Sequence, residues 1–195
     1  MGARNAGKAV VGFATAALVA MCAVILLTSG TGEEGWRAVV RATARTSLVL
    51  FTAAYVASSL RAFHQGAATK WLLANRRYVG LSYAVSHTLH LAAIVVLSRV
   101  DADFETSAVA LVFGGLAYVF LYAMALTSSD RAVAAMGIAN WRRLHRAGMH
   151  YNWFIFAQSY LPRTLAEPGI HSATGLLVIG GATLRIAAYV RARSA

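Results

Sequence analysis

The chain has 195 residues, 58% of them hydrophobic and only 13% charged, with a mean hydropathy of +0.58. That composition excludes an ordinary soluble domain and suits a bilayer, which asks for spans of about 20 mostly apolar residues. The net charge of +11 does not make nucleic acid the expected partner: the basic residues sit at the ends of apolar segments, where they snorkel and meet anionic lipid, so the expected partner is membrane lipid.

Six apolar segments follow one another, and the expected fold class is all-α: an integral membrane bundle of six transmembrane helices in a single domain, residues 1–195. The first, Ala9–Thr28, is preceded by Arg4 and Lys8. Its apolar run is long for a secretory signal, and "LTSGTGEEGW" after it offers no small-x-small cleavage site, so it is read as a retained helix. It holds Cys22, the only cysteine, which rules out an intramolecular disulfide. The second segment, Thr43–Ala62, is entered through Arg37, Arg41 and Arg45, spaced by four and so forming one stripe. The third, Tyr78–Leu97, lies within "NRRYVGLSYAVSHTLHLAAIVVLSRV" and places His87 and His90 where lipid is expected. The fourth is Ala108–Thr127. The fifth, Leu144–Leu161, is the least apolar, interrupted by His145, His150, Asn152 and Gln158. The sixth is Ile170–Val190, and both prolines, Pro162 and Pro168, fall before it, where a turn is expected. The glycine pairs at 114–115 and 180–181 lie in apolar helices, where they suit close packing, and they follow no strand, so they are not a dinucleotide fingerprint.

Charge orients the bundle. Thirteen of the 18 basic residues lie before segment one, between two and three, between four and five, or, as Arg185, Arg191 and Arg193, at the C-terminal end. The positive-inside bias therefore places both termini in the cytoplasm of a multi-pass inner-membrane protein.

An ionisable side chain at membrane depth is costly and normally faces the bundle interior with a partner. Any one of the histidines can be explained by hydrogen bonding between helices. Several on two helices also suit haem iron, for which neutral imidazole is a strong ligand and facing helices a common pocket. Segments three and five start on the same side. At about 1.5 Å per residue, His90 lies roughly 21 Å from Arg76, and Gln158 roughly 20 Å from His145. This gives two levels: Arg76 with His145, and His90 with Gln158. His87 shares a face with His90 and could support or replace it. His150 falls between the levels, where it supports a ligand or packs and does not itself ligate.

"RRYVGLSYAVSHTLHL" and "NWRRLHRAGMHYNWFIFAQSY" resemble the third and fifth helices of ferric reductase-like transmembrane domains. Within that family the likeness is to the haem-binding membrane subunit of the bacterial periplasmic methionine-sulfoxide reductase system. It covers residues 31–161, with "TGEEGWRAVVRATARTSLVLF" leading into the second helix. The resemblance implies b-type haem, one or two, held at positions that fall here on Arg76, His90, His145 and Gln158, with His90 and His145 as the iron ligands. Arginine at the first position fits the sulfoxide-reductase branch. Glutamine at the last departs from it and is a poor ligand beside imidazole. The haem on that side is then held by His90 alone, by His90 with His171, or is absent. His171 could equally be interfacial, and His64 is read as solvated. Arg41 and Arg45 suit haem propionates through charge-assisted hydrogen bonds, or else face lipid headgroups.

The expected function is a membrane relay, an oxidoreductase component and not a complete enzyme. Electrons would come from a quinone or a separate cytoplasmic flavoprotein and leave to an outer-face acceptor, in a partner protein or larger membrane complex. The alternatives are a structural subunit with a degenerate haem site, and a transporter. For the transporter, neither broken helices nor inverted repeats are present.

Overall fold

A computed structural model describes residues 3–169 and 171–194 of the protein. Among them there are seven helices and no strand. They are α1 (Ala3–Ser29), α2 (Glu33–Phe63), α3 (Ala67–Val100), α4 (Ala108–Leu126), α5 (Asp130–Met136), α6 (Ile138–Ala166) and α7 (Ser172–Ser194). Five of them, α1, α2, α3, α4 and α7, are long and apolar enough to cross a membrane. Outside that set are the seven-residue α5 and the long α6, which holds the fifth predicted segment. Its imidazoles and amides, together with Arg142, Arg143 and Arg146 in its first turns, dilute its apolar content.

The predicted boundaries are short at several places. Helices α2 and α3 contain 31 and 34 residues, each extending a predicted span well beyond the hydrocarbon thickness. Helix α5 was not expected. Ser129 starts it by accepting a hydrogen bond from the Ala132 amide at 3.1 Å. Gly137 ends it at φ 80°, a conformation that favours glycine. Pro162 does not sit in a turn but inside α6, which runs on to Ala166. Lacking an N–H, it cannot donate to the carbonyl of Gln158 four residues earlier. The predicted start of the sixth segment, Ile170, lies outside the described residues.

The chain divides into two compact units. The first comprises Met1–Ala54 and Ala74–Thr106, and its core is the packing of α2 on α3. Small hydroxyls join these two helices. Ser86 Oγ lies 2.9 Å from Ser47 Oγ and 3.1 Å from Thr46 Oγ1, and it donates to the Thr43 carbonyl at 3.4 Å. In lipid, where apolar contact alone gives helices little reason to associate, such hydrogen bonds and small side chains hold them together. Around them Val39, Leu48, Phe51 and Tyr83 are buried, with Phe51 and Tyr83 in edge-on contact. Arg37 on α2 pairs with Asp101, whose side chain is buried at the end of α3, and with Glu33 at 2.6 Å.

The second unit comprises Tyr55–Leu73 and Ser107–Ala195, and α6 is its centre, packed against α4, α5 and α7. Tyr151 donates to the Phe113 carbonyl of α4, and the Trp153 indole to the Val178 carbonyl of α7. Close approach occurs where a side chain is missing. A Cβ on Gly148 would lie 2.7 Å from Met124 Sδ, and one on Gly175 would lie 2.5 Å from Thr164 Cγ2. The close packing expected at 114–115 and at Gly180 is absent: a Cβ at any of these three meets nothing within 4 Å.

Candidate functional site

In the first unit the hydroxyl-rich seam between α2 and α3 ends at two imidazoles. His87 is buried and His90 half-buried, their rings stacked with centroids 5.2 Å apart. Their spacing of three places them on one face of α3, and Tyr83, one turn earlier, lies 5.4 Å from the His87 ring. His90 is held through one nitrogen. Its Nδ1 lies 3.1 Å from the Val40 carbonyl oxygen and 3.1 Å from Thr43 Oγ1. Thr43 itself donates to the Val39 carbonyl at 2.7 Å, so its oxygen is an acceptor toward the ring. A carbonyl can only accept. Both partners therefore call for a proton on Nδ1, which leaves the lone pair of the neutral ring on Nε2. This is the arrangement in which a histidine serves as a metal ligand, the far N–H fixing tautomer and ring orientation.

Arg76 lies 14 residues before His90 on the same helix. It is half-buried and donates from Nε to the Ala54 carbonyl at 2.9 Å, tying α3 to α2. Arg41 and Arg45 are exposed. Each lies two residues from Thr43, roughly 200° around the helix, so they occupy the side of α2 away from its contact with His90.

In the second unit His145 is half-buried near the start of α6. The Trp141 ring lies 4.2 Å from it, and Thr127 Oγ1 lies 3.5 Å from its Nε2, a long contact for a hydrogen bond. Gln158 is exposed on α6. His150 meets Tyr55: Nδ1 lies 3.2 Å from the phenol oxygen, with the rings edge-on at 5.9 Å. Arg185 stacks over the same Tyr55 ring at 4.3 Å and donates to the Tyr55 carbonyl at 2.7 Å. His171 keeps to the connection between α6 and α7, 3.7 Å from Glu167, and His64 is exposed.

Of the predicted site residues, then, His87, His90, Arg76, Arg41 and Arg45 belong to one unit, and His145 and Gln158 to the other. His87 and His90 are brought together, and Arg41 and Arg45 are directed away from them. Sequence reasoning missed Thr43 and Val40, the partners that fix His90. It also missed the Tyr55–His150–Arg185 group, having read Arg185 as a terminal charge. A threonine at the centre of an arginine stripe, on the opposite side of its helix, was the available signal for Thr43.

The chain is 31% identical over 101 residues to the protein-methionine-sulfoxide reductase heme-binding subunit MsrQ of Azospira oryzae. That similarity covers 44% of this chain and 42% of the relative, so the chain spans less than half of the curated protein it matches. No protein-family model and no solved structure matches. Among the described residues no group of three or more His, Cys, Asp or Glu side chains is gathered as a bare metal-ion site; axial ligation of a haem asks for only one or two imidazoles.

Proposed function

We propose that the protein is a haem b-binding membrane subunit that passes electrons from a cytoplasmic or quinone donor to an acceptor at the outer face. The observation that carries this reading is the state of His90: an imidazole within a membrane-length helix, its Nδ1–H bound by the Val40 carbonyl and Thr43, its Nε2 lone pair left for iron. The partial likeness to a haem-binding subunit supports the same reading. His90 is the first ligand assigned, and His87, stacked on it, is the nearest imidazole that could stand in. His145, beside the Trp141 ring and in long contact with Thr127, is the ligand of a second, separate haem. Arg76 and Gln158 occupy the two remaining positions implied by the family resemblance, Arg76 by charge near a propionate and Gln158 as a residue that does not ligate iron. Haem b bound at these residues would supply a one-electron iron couple. The protein's own part is to present neutral imidazole, fix its tautomer and keep water away from it. Helix α6 is taken as a span as well, the fifth of six, its polar residues belonging to the redox function, and both termini are cytoplasmic. A separate flavoprotein or a quinone supplies the electrons, and a redox partner or larger complex receives them.

The test is a reduced-minus-oxidised absorption spectrum and a haem assay on protein produced with ample haem. A b-type spectrum is expected, removed or markedly changed in His90→Ala and less affected in His150→Ala. Haem-free, well-folded protein under those conditions would replace this reading with that of a structural subunit.

A further inference from the structure

On α2, Arg37, Arg41 and Arg45 form one stripe, yet only the outermost is neutralised. Arg37 pairs with Glu33 and with Asp101. Neither Arg41 nor Arg45 has an ion pair or hydrogen bond among the described residues, and both are exposed. They lie one and two turns further along the helix than Arg37, about 6 and 12 Å deeper. The depth is independently marked, because the Val40 carbonyl and Thr43, which hold His90, bracket Arg41 in sequence. The pair therefore sits at the level of a histidine inside the apolar part of α3. One turn on, the same face continues with Val49, which is 52% exposed.

A guanidinium so placed has two sources of relief: it can snorkel outward, or an anion can be drawn in to meet it. An acidic group on a water-soluble protein is poorly placed to reach it, since Arg45 lies about two turns below the Arg37–Asp101 pair that ends the polar zone. A lipid phosphate is already at that boundary, and its acyl chains fit the apolar surface that begins at Val49. Arginine also suits this anion, because its planar fork can bond two phosphate oxygens at once.

We propose that Arg41 and Arg45 form a binding site for the phosphate of an anionic phospholipid, in the leaflet at the Glu33 end of α2. The proposal does not rest on the haem reading. It is tested by reconstituting the full chain into phosphatidylcholine bilayers containing a minor fraction of phosphatidylglycerol. The protein is then re-extracted in mild detergent, and the retained phosphatidylglycerol is measured by mass spectrometry. Wild type should retain it selectively. Arg41→Gln/Arg45→Gln should lose that selectivity with an unchanged far-ultraviolet spectrum and melting temperature, while Arg41→Lys/Arg45→Lys should keep a reduced part of it. Equal retention by wild type and the glutamine variant overturns the site. So does an equal loss in Arg142→Gln/Arg143→Gln, which would reduce the effect to bulk charge. A fall in bound haem with phosphatidylglycerol retention unchanged would assign the pair to propionates and overturn it as well.

Discussion

Thr43 is the residue on which the proposed site can be tested most finely. Its hydroxyl donates to the Val39 carbonyl and accepts from His90 Nδ1, so it couples α2 to the orientation of the imidazole. Groups that bind the far nitrogen of a metal-ligating histidine typically change affinity by 10–100-fold when removed. The Val40 carbonyl remains in Thr43→Val and still fixes the tautomer, so the effect belongs at the low end. We expect haem affinity to fall about 10-fold, with a shift in midpoint potential, and Thr43→Ser to restore both. Haem titration and potentiometry of the three proteins measure this; a Thr43→Val protein indistinguishable from wild type would mean that the imidazole is held in some other way. His90 itself was legible in the sequence, because an imidazole in an apolar run needs a reason. Its partners were not, because which α2 residue faces it depends on the register of two helices, and hydropathy carries no register. The same holds for Arg185, whose charge invited a reading as a terminal anchor while its contacts are with Tyr55.

At the scale of the helices, composition located the apolar segments but not how the helices end or touch. Spans one, two, three, four and six each fall in a helix that can cross a membrane. The extra turns of α2 and α3 carry Glu33, Glu34, Arg37, Arg41, Lys70, Arg76 and Arg77 among their apolar residues, so an uninterrupted apolar run could not include them. Short α5 depends on a serine cap and one glycine, signals that are weak beside a 20-residue apolar run. Glycine shows the limit most clearly. Gly148 lies against Met124, so Gly148→Leu should destabilise the contact of α6 with α4 by about 1–3 kcal/mol, the usual cost of overpacking. Gly114 has open space around it, and Gly114→Ala should be neutral or stabilising by about 0.5–1 kcal/mol through helix propensity. Thermal unfolding in one detergent compares the two. A Gly114→Ala loss as large as that of Gly148→Leu would place a packing partner against α4 at that point.

For the chain as a whole, the distribution of charge carries information that no helix contains alone. Thirteen of 18 basic residues fall on the side assigned to the cytoplasm. The Asp101–Glu105 stretch between α3 and α4 is acidic, while α5 and the start of α6 carry Arg131, Arg142, Arg143 and Arg146. Short connections of this kind are retained or translocated according to their lysine and arginine content, with acidic residues counting for little. The expected arrangement has residue 103 outside, and α5 with both termini inside. Both test positions are exposed: Asp103 in the connection and Ala134 on α5. Single cysteines are introduced there, as Asp103→Cys and Ala134→Cys, after the one native thiol is removed as Cys22→Ala. A membrane-impermeant maleimide applied to intact spheroplasts should label residue 103 and not residue 134, and lysis should expose 134. Cys22 lies in the apolar α1, so its removal should leave insertion unchanged. Labelling of 134 but not 103 before lysis would invert the whole chain. It would also reverse which face receives the electrons, because His90 lies nearer the Asp101 end of α3 and Arg76 nearer the other. The direction of the proposed relay therefore depends on this measurement and on no distance within either unit.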